Sequence, residues 1–383
     1  MAGQGWPRHT VAGQGLTSNP WHMGKGSRQA VSYLRKNIEA MAGYTPGEQP
    51  GAGERVVKLN TNENPYPPSP RVLEAMRAID GSRLRRYPDP MANKVRDLVA
   101  RMFGLARENV LCGNGSDELL TLVMRAFVGE GQRLVYPTPT YSLYPVLAEI
   151  QAAEALEIPT AEDFSLAVGP LARARGQAMI LCNPNAPTGV FTPVQMIGML
   201  AERFAGVVVV DEAYVDFASD HAMSLAAARP NVLVLRTLSK SYSLAGLRFG
   251  YAVGAADLIK GLEKVKDSYN VDAVSAELAA AALEDQAWMR ANVEKVRAER
   301  RRVGGRLGQR GFDVTPSEAN FLLARVPAGT GQEWYEGLKA RGILVRWWNL
   351  PRLADKLRIT IGTPGENDGL LAAVEQMKKE VTA

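Results

Sequence analysis

The segments VVVVDEAYVDF (residues 207–217) and VLVLRTLSKSYSLAGLRFGY (residues 232–251) decide the fold of this 383-residue chain. Each opens on an unbroken apolar run and stops at polar residues. A run that is apolar at every position has no solvent face, so it predicts a strand buried on both sides of a sheet. Working outward, LVYP (134–137), AMILC (178–182) and RFGYAVG (248–254) share this character and are separated mostly by stretches of helical spacing. The alternation predicts an α/β fold with a mostly parallel sheet flanked by helices. In such folds ligands bind beyond the carboxyl ends of the strands, so chemistry is sought in the residues that follow each run.

After about residue 285 the character changes. The charged segment VEKVRAERRRVGGRLGQRG (293–311) leads into FDVTPSEANFLLARV (312–326), a helical stretch, then ILVRWW (343–348) and KLRITIG (356–362). This predicts a smaller α+β domain over 286–383, beside a large domain over 65–285 and an N-terminal arm over 29–64 that joins the small domain. Residues 1–28 are rich in Gly, Pro and polar residues without apolar periodicity, which predicts a disordered extension.

Composition narrows the function classes. The 46% of apolar residues supply a substantial core, and two Cys with three His leave little for a disulfide framework or a metal cluster. The formal charge of +5 lies in residues 1–38, which hold Arg8, Lys25, Arg28, Arg35 and Lys36 and no acid. The rest carries 40 basic and 40 acidic residues, which argues against a nucleic-acid footprint. No apolar run is long enough to span a membrane, and the expected location is the cytoplasm. His9 and His22 fall in the extension, so only His221 remains for a Ser-His-Asp or Cys-His arrangement.

Three sites follow the strands. NVLCGNGSDELLTLVMRAF (109–127) reads as strand, Gly-rich turn and helix, with Ser116 as the expected cap and a helix start suited either to a phosphate or simply to capping. The turn matches neither the G-x-G-x-x-G nor the G-x-x-x-x-G-K-[ST] pattern, so dinucleotide and P-loop readings lack support. Asp211 ends an apolar strand, where a carboxylate needs a facing cation, structural or functional. Lys240 lies among Thr237, Ser239 and Arg248, all phosphate-type ligands. A lysine there is either a solvated residue or, once desolvated, a nucleophile able to form a Schiff base.

In order along the chain, GYTPGEQP (43–50), KLNTNENPYPPSP (58–70), RYPDP (86–90), GNGSDELL (113–120), PTYSLYP (139–145), NPNAPTG (183–189), DEAY (211–214), TLSKSYSLAGLRFG (237–250) and LRITIGT (357–363) form a specific set. With them the chain resembles the fold-type-I pyridoxal 5'-phosphate (PLP) aminotransferases of class II, and within these the histidinol-phosphate aminotransferase family. The resemblance implies that Lys240 forms the internal aldimine and later shuttles a proton between the substrate α-carbon and the cofactor. It implies that Asp211 pairs with the pyridine nitrogen, and that Ser116, Asp117, Thr237, Ser239 and Arg248 hold the phosphate. By the same resemblance Tyr141 stacks on the ring and Tyr214 reaches its 3′-oxygen. Many members carry Asn before the Pro-Thr-Gly, where its amide reaches the 3′-oxygen; here that position is Ala186, and Asn185 beside it, kept among the cofactor-binding candidates, points elsewhere if the backbone is kept, so Tyr214 is expected to hold that oxygen alone.

The resemblance also implies that Tyr44, Tyr87 and Arg346 hold a substrate phosphate and Arg358 a carboxylate. Tyr87 comes from the partner in a homodimer with shared active sites. If the segment is a strand, at least one of Trp347 and Trp348 packs in the core, and one is a candidate border of the ring pocket. The implied reaction is reversible transfer between histidinol phosphate with 2-oxoglutarate and imidazole-acetol phosphate with glutamate, in histidine biosynthesis. An aromatic aminotransferase and a threonine-phosphate decarboxylase are the nearest rivals. A PLP-binding regulator lacks a helix-turn-helix, and a nicotinamide oxidoreductase lacks its fingerprint.

Overall fold

The structure, a computed structural model, describes residues 33–382 apart from 46, 52 and 54. The expected disorder of residues 1–28 lies outside the described residues. The main sheet has seven strands: β1 (Val110–Gly113), β2 (Arg133–Thr138), β3 (Glu154–Pro159), β4 (Ala178–Cys182), β5 (Val207–Asp211), β6 (Val232–Thr237) and β7 (Gly250–Gly254). Their order is β1-β7-β6-β5-β4-β2-β3. β7 is antiparallel to both of its neighbours, and every other pairing is parallel.

The Val runs behave as their composition demands. Val208, Val210, Val232 and Val234 pack into one apolar layer, while Val209, Leu233 and Leu235 pack into the other, so β5 and β6 are covered on both faces. Helices supply the cover, among them Ser116–Phe127, Val194–Arg203 and Ala273–Glu284. β3 alone escapes the apolar-run rule. Its residues EALEIP alternate between exposed and half-buried, as an edge strand with one wet face requires.

The 24-residue helix Gln286–Gln309 leads away from this sheet. Beyond it β8 (Asp313–Val314), β9 (Phe321–Arg325) and β10 (Lys356–Thr360) form an antiparallel sheet in the order β10-β9-β8. Val57–Lys58 pairs in parallel with Ile343–Leu344, which ties the N-terminal segment to this region. The following residues, Leu59 to Asn64, then cross to the carboxyl ends of the main strands. There Asn64 Nδ2 donates to the carbonyls of Lys240 and Ser241 at 3.0 and 3.1 Å.

Candidate active site

A cavity of about 750 Å³ opens where the carboxyl ends of β2, β4, β5 and β6 face the crossing segment and the strand bearing Arg358. β6 ends at Thr237, and the chain turns through Lys240 before β7 returns beside it in the register Thr237↔Gly250. Lys240 lines the cavity and donates through Nζ to the Thr61 carbonyl at 3.2 Å. Burial, with the Arg358 charge adding to it, lowers the Lys240 pKa to about 8. An amine held there is readily deprotonated and hence nucleophilic.

Asp211 projects from the end of β5 and is 2% exposed. Tyr144 donates its hydroxyl to Oδ2 at 2.8 Å and the Ala213 N–H donates to Oδ1 at 3.2 Å. Among the described residues Asp211 makes no ion pair, and burial raises its pKa to about 6. A buried acid that lines a cavity without a cationic partner is a site prepared for a cationic ligand atom. Tyr144 was not singled out by sequence. Its only signal there is its place three residues after Tyr141, across a helix start.

The turn before helix Ser116–Phe127 corrects one expectation. The N-cap is Gly115, with φ of 84°, and Ser116 is the first helical residue without a capping bond. The Glu118 carboxylate accepts instead from the N–H of Asn114, in the turn ahead of the cap, so among the described residues no side chain caps the first helical N–H groups. The Ser116 side chain therefore lines the cavity at the positive helix end. Gly250 allows this approach: a Cβ on it would sit 2.9 Å from Ser116 N and 2.7 Å from the Arg236 carbonyl. Arg248 completes the corner, with Nη2 3.2 Å from Asp117 Oδ2 and Nη1 donating to Ser239 Oγ at 3.4 Å. Thr237 Oγ1 donates to Ser239 Oγ at 2.8 Å. Two hydroxyls, a guanidinium and a helix N-terminus thus converge as an anion cradle.

A second cationic corner lies in the same cavity. Arg346 and Arg358 exchange backbone hydrogen bonds of 3.0 and 2.8 Å, so their side chains start side by side. Trp348 carries both guanidiniums, at 5.3 Å for Arg346 and 5.2 Å for Arg358. Arg358 Nη2 donates to the Asn60 carbonyl at 2.7 Å, while its buried Nε has no partner among the described residues. Burial lowers the Arg358 pKa. Trp347 turns away, stacks on Tyr335 and donates to the Ala354 carbonyl at 2.9 Å. Tyr44 meets Tyr141 edge to face at 6.2 Å, and Tyr141 donates to Asp117 Oδ1 at 3.3 Å.

Three expected or considered residues are not brought to the cavity. Asn185 is held elsewhere: its Nδ2 donates to the Pro139 carbonyl and to Thr188 Oγ1, and its Oδ1 accepts from Thr140. Its backbone position turns the amide away, so Ala186 faces the cavity instead, and Asn185 is corrected from a cofactor contact to a loop support. Tyr87 is 80% exposed and stacks on Tyr269 with ring centroids 4.4 Å apart, beside a separate depression rich in arginine. His221 is exposed and packs against Phe103.

A lysine and an uncompensated aspartate at neighbouring strand ends, beside an anion cradle, define an α/β enzyme built around a cofactor that carries an aldehyde, a basic ring nitrogen and a phosphate. The chain belongs to the aminotransferase class I and II family, whose model matches residues 54–374, and it is a PLP-dependent transaminase of fold type I. It is 49% identical to histidinol-phosphate aminotransferase 1 of Nostoc sp., covering 91% of this chain and 98% of that protein. Against histidinol-phosphate aminotransferase of Geotalea uraniireducens the identity is 45%, over 90% of this chain and 99% of the other. The crystal structure of histidinol-phosphate aminotransferase from Sinorhizobium meliloti in complex with PLP superposes with a TM-score of 0.83 at 25% identity, covering 93% and 100% of the two chains. The donor set here suits that cofactor: the unpaired buried carboxylate matches a protonated ring nitrogen, and the Arg248 corner matches a phosphate.

Proposed function

We propose that this protein transfers an amino group reversibly between histidinol phosphate and 2-oxoglutarate, giving imidazole-acetol phosphate and glutamate, as a step of histidine biosynthesis. The observation that carries the substrate reading is the Arg346–Trp348–Arg358 corner. The Arg248 cradle suffices for a cofactor phosphate, so two further guanidiniums in one cavity call for a second anion. Arg346, with Tyr44, would hold the substrate phosphate, and Arg358 the carboxylate of glutamate or 2-oxoglutarate. Bound PLP supplies an aldehyde for amine exchange and a ring that withdraws electrons. Asp211 would keep the ring nitrogen protonated, Tyr141 would cover the ring, and Tyr214 would donate to the 3′-oxygen. Ser116, Asp117, Thr237, Ser239 and Arg248 would fix the phosphate. Lys240 Nζ would take the proton from the substrate α-carbon and return it at the cofactor's C4′ carbon.

The reading includes a two-fold dimer in which exposed Tyr87 reaches the partner's cavity. It also includes a cytoplasmic location, where buried Cys112 and Cys182 stay as thiols. Purified protein given PLP should develop a visible absorption band that Lys240→Ala abolishes, and should turn over more than one equivalent of histidinol phosphate per site only with 2-oxoglutarate present. A colourless protein would overturn the cofactor reading. Carbon dioxide release from threonine phosphate, or preference for phenylalanine over histidinol phosphate, would overturn the substrate.

A further inference from the structure

Asn62 is 1% exposed at a point where distant parts of the chain meet. Its φ of 58° lies in the left-handed region, which non-glycine residues occupy when the surroundings hold them there. Each of its polar groups is used. The backbone N–H donates to Thr360 Oγ1 at 3.0 Å, and the carbonyl accepts from Asn320 Nδ2 at 2.9 Å. Oδ1 accepts from the Thr360 hydroxyl at 3.0 Å, which leaves Nδ2 to donate to the Tyr214 hydroxyl oxygen at 3.0 Å. The amide is thus locked with its N–H on Tyr214.

That single bond fixes which way the phenol points its own hydrogen. With one lone pair occupied by Asn62, the Tyr214 O–H is left to donate into the cavity, and an accepted hydrogen bond makes it a stronger donor. The Tyr214 ring is held as well, edge to face on Phe321 at 5.1 Å. Among the described residues the 185–186 step offers no amide here, because Ala186 lines the cavity and Asn185 is committed to Thr188 and Pro139.

We propose that Asn62 is the positioning residue for Tyr214, orienting its hydroxyl toward the 3′-oxygen of bound PLP and thereby supplying alone the donor geometry that an amide at position 186 would share. The inference rests on the PLP reading above. A donor to that oxygen stabilises negative charge on it, and so favours loss of the proton from the nitrogen that joins Lys240 to the cofactor. Weakening the donor therefore raises the pH at which the absorption band changes. The titratable groups facing Tyr214 are Arg358, Asp211, Cys182, Tyr141 and Lys240, all left intact by the variants below.

The test is a spectrophotometric pH titration of PLP-loaded protein. Asn62→Ala and Asn62→Asp, the latter similar in shape but an acceptor where the amide donates, should move the midpoint up by about one pH unit, the size of one lost hydrogen bond to a charged group. Tyr214→Phe should move it similarly, and adding Asn62→Ala to Tyr214→Phe should move it no further. Ala186→Asn, outside the Asn62 network, should lower the parent midpoint and bring that of Asn62→Ala back toward the parent value. If the Asn62 variants do not fold, Thr360→Val, which removes the hydroxyl that fixes the Asn62 amide, should raise the midpoint in the same direction, and an unchanged midpoint there would overturn the proposal. An Asn62→Ala midpoint equal to the parent's, or a shift that persists undiminished on top of Tyr214→Phe, would overturn the proposal. A parent protein that takes up no PLP would instead refute the reading beneath it.

Discussion

Tyr144→Phe removes one oxygen from the structure and nothing from its packing, since the ring keeps its edge contacts with Tyr136 at 6.0 Å and Tyr141 at 5.7 Å. What is lost is the 2.8 Å hydrogen bond to Asp211 Oδ2, leaving the Ala213 N–H at 3.2 Å as the remaining donor among the described residues. A hydrogen bond to a charged group contributes about 1.5–3 kcal/mol, and one pH unit corresponds to about 1.4 kcal/mol. The bond favours the ionised form, so its removal pushes the Asp211 pKa upward from about 6 by roughly one to two units in the cofactor-free protein. The proposed partner of Asp211 is a protonated ring nitrogen, which the neutral acid cannot hold as an ion pair. PLP affinity, measured by equilibrium titration across the neutral range, should therefore fall on the acid side in both proteins, with the variant's midpoint displaced to higher pH. At high pH the two affinities should converge. A midpoint unchanged by Tyr144→Phe, in protein of unaltered thermal stability, would refute the assignment of the Tyr144 bond as the support of Asp211.

Arg346→Ala should lower kcat/KM for histidinol phosphate by about 10- to 100-fold, the range for one charge-assisted phosphate contact, and leave phenylalanine turnover nearly unchanged; equal losses would count against a phosphate site. Reconstitution of cofactor-free protein should accelerate with pH and level off above about 8, because only neutral Lys240 attacks the aldehyde; a stopped-flow rate that keeps climbing well beyond that plateau would show the lysine unperturbed. Mixing Tyr87→Ala with Lys240→Ala should restore activity that neither variant has alone, as a hybrid dimer regains one intact site; no recovery after subunit exchange would argue against shared sites. Glu212→Gln should cost about 3 kcal/mol in urea unfolding, since the Arg236 side chain it faces at 2.9 Å is only 8% exposed and would lose its main counter-charge.

Residues 207–254 carry most of the fold in plain view because β5 and β6 are buried on both faces and run apolar until the polar residues at their carboxyl ends, Asp211, Arg236 and Thr237. The same logic hides β3, whose wet face breaks the run. Local motifs likewise placed Lys240, Asp211 and Arg248 at strand ends, where short-range sequence dictates position. Contacts closed over long separations were not legible. Asn62 lies 152 residues from Tyr214, and Tyr144 lies 67 from Asp211, so no spacing rule links them. Ser116 was misread as a cap because a Ser followed by acids is the usual cap signature; the left-handed Gly115 occupies the cap position instead, with no side-chain cap bond, and Glu118 ties back the Asn114 N–H before it. Asn185 and Ala186 differ by a single backbone step, which decides which side chain faces the cavity.

The reversed direction of β7 sets a limit on how the chain can vary. Because β7 returns antiparallel to β6 in fixed register, the residues from Thr237 to Gly250 form a closed loop anchored on two neighbouring interior strands at the same end of the sheet. Elsewhere a crossover through a helix can lengthen or shorten at its surface turns without moving the strand ends it joins. Here an added or deleted residue would slide Lys240 against Arg248, or β7 against β6, and put each side chain of the slipped strand on the opposite face. Insertions and deletions in relatives that keep this chemistry should therefore gather in the crossovers and spare this loop.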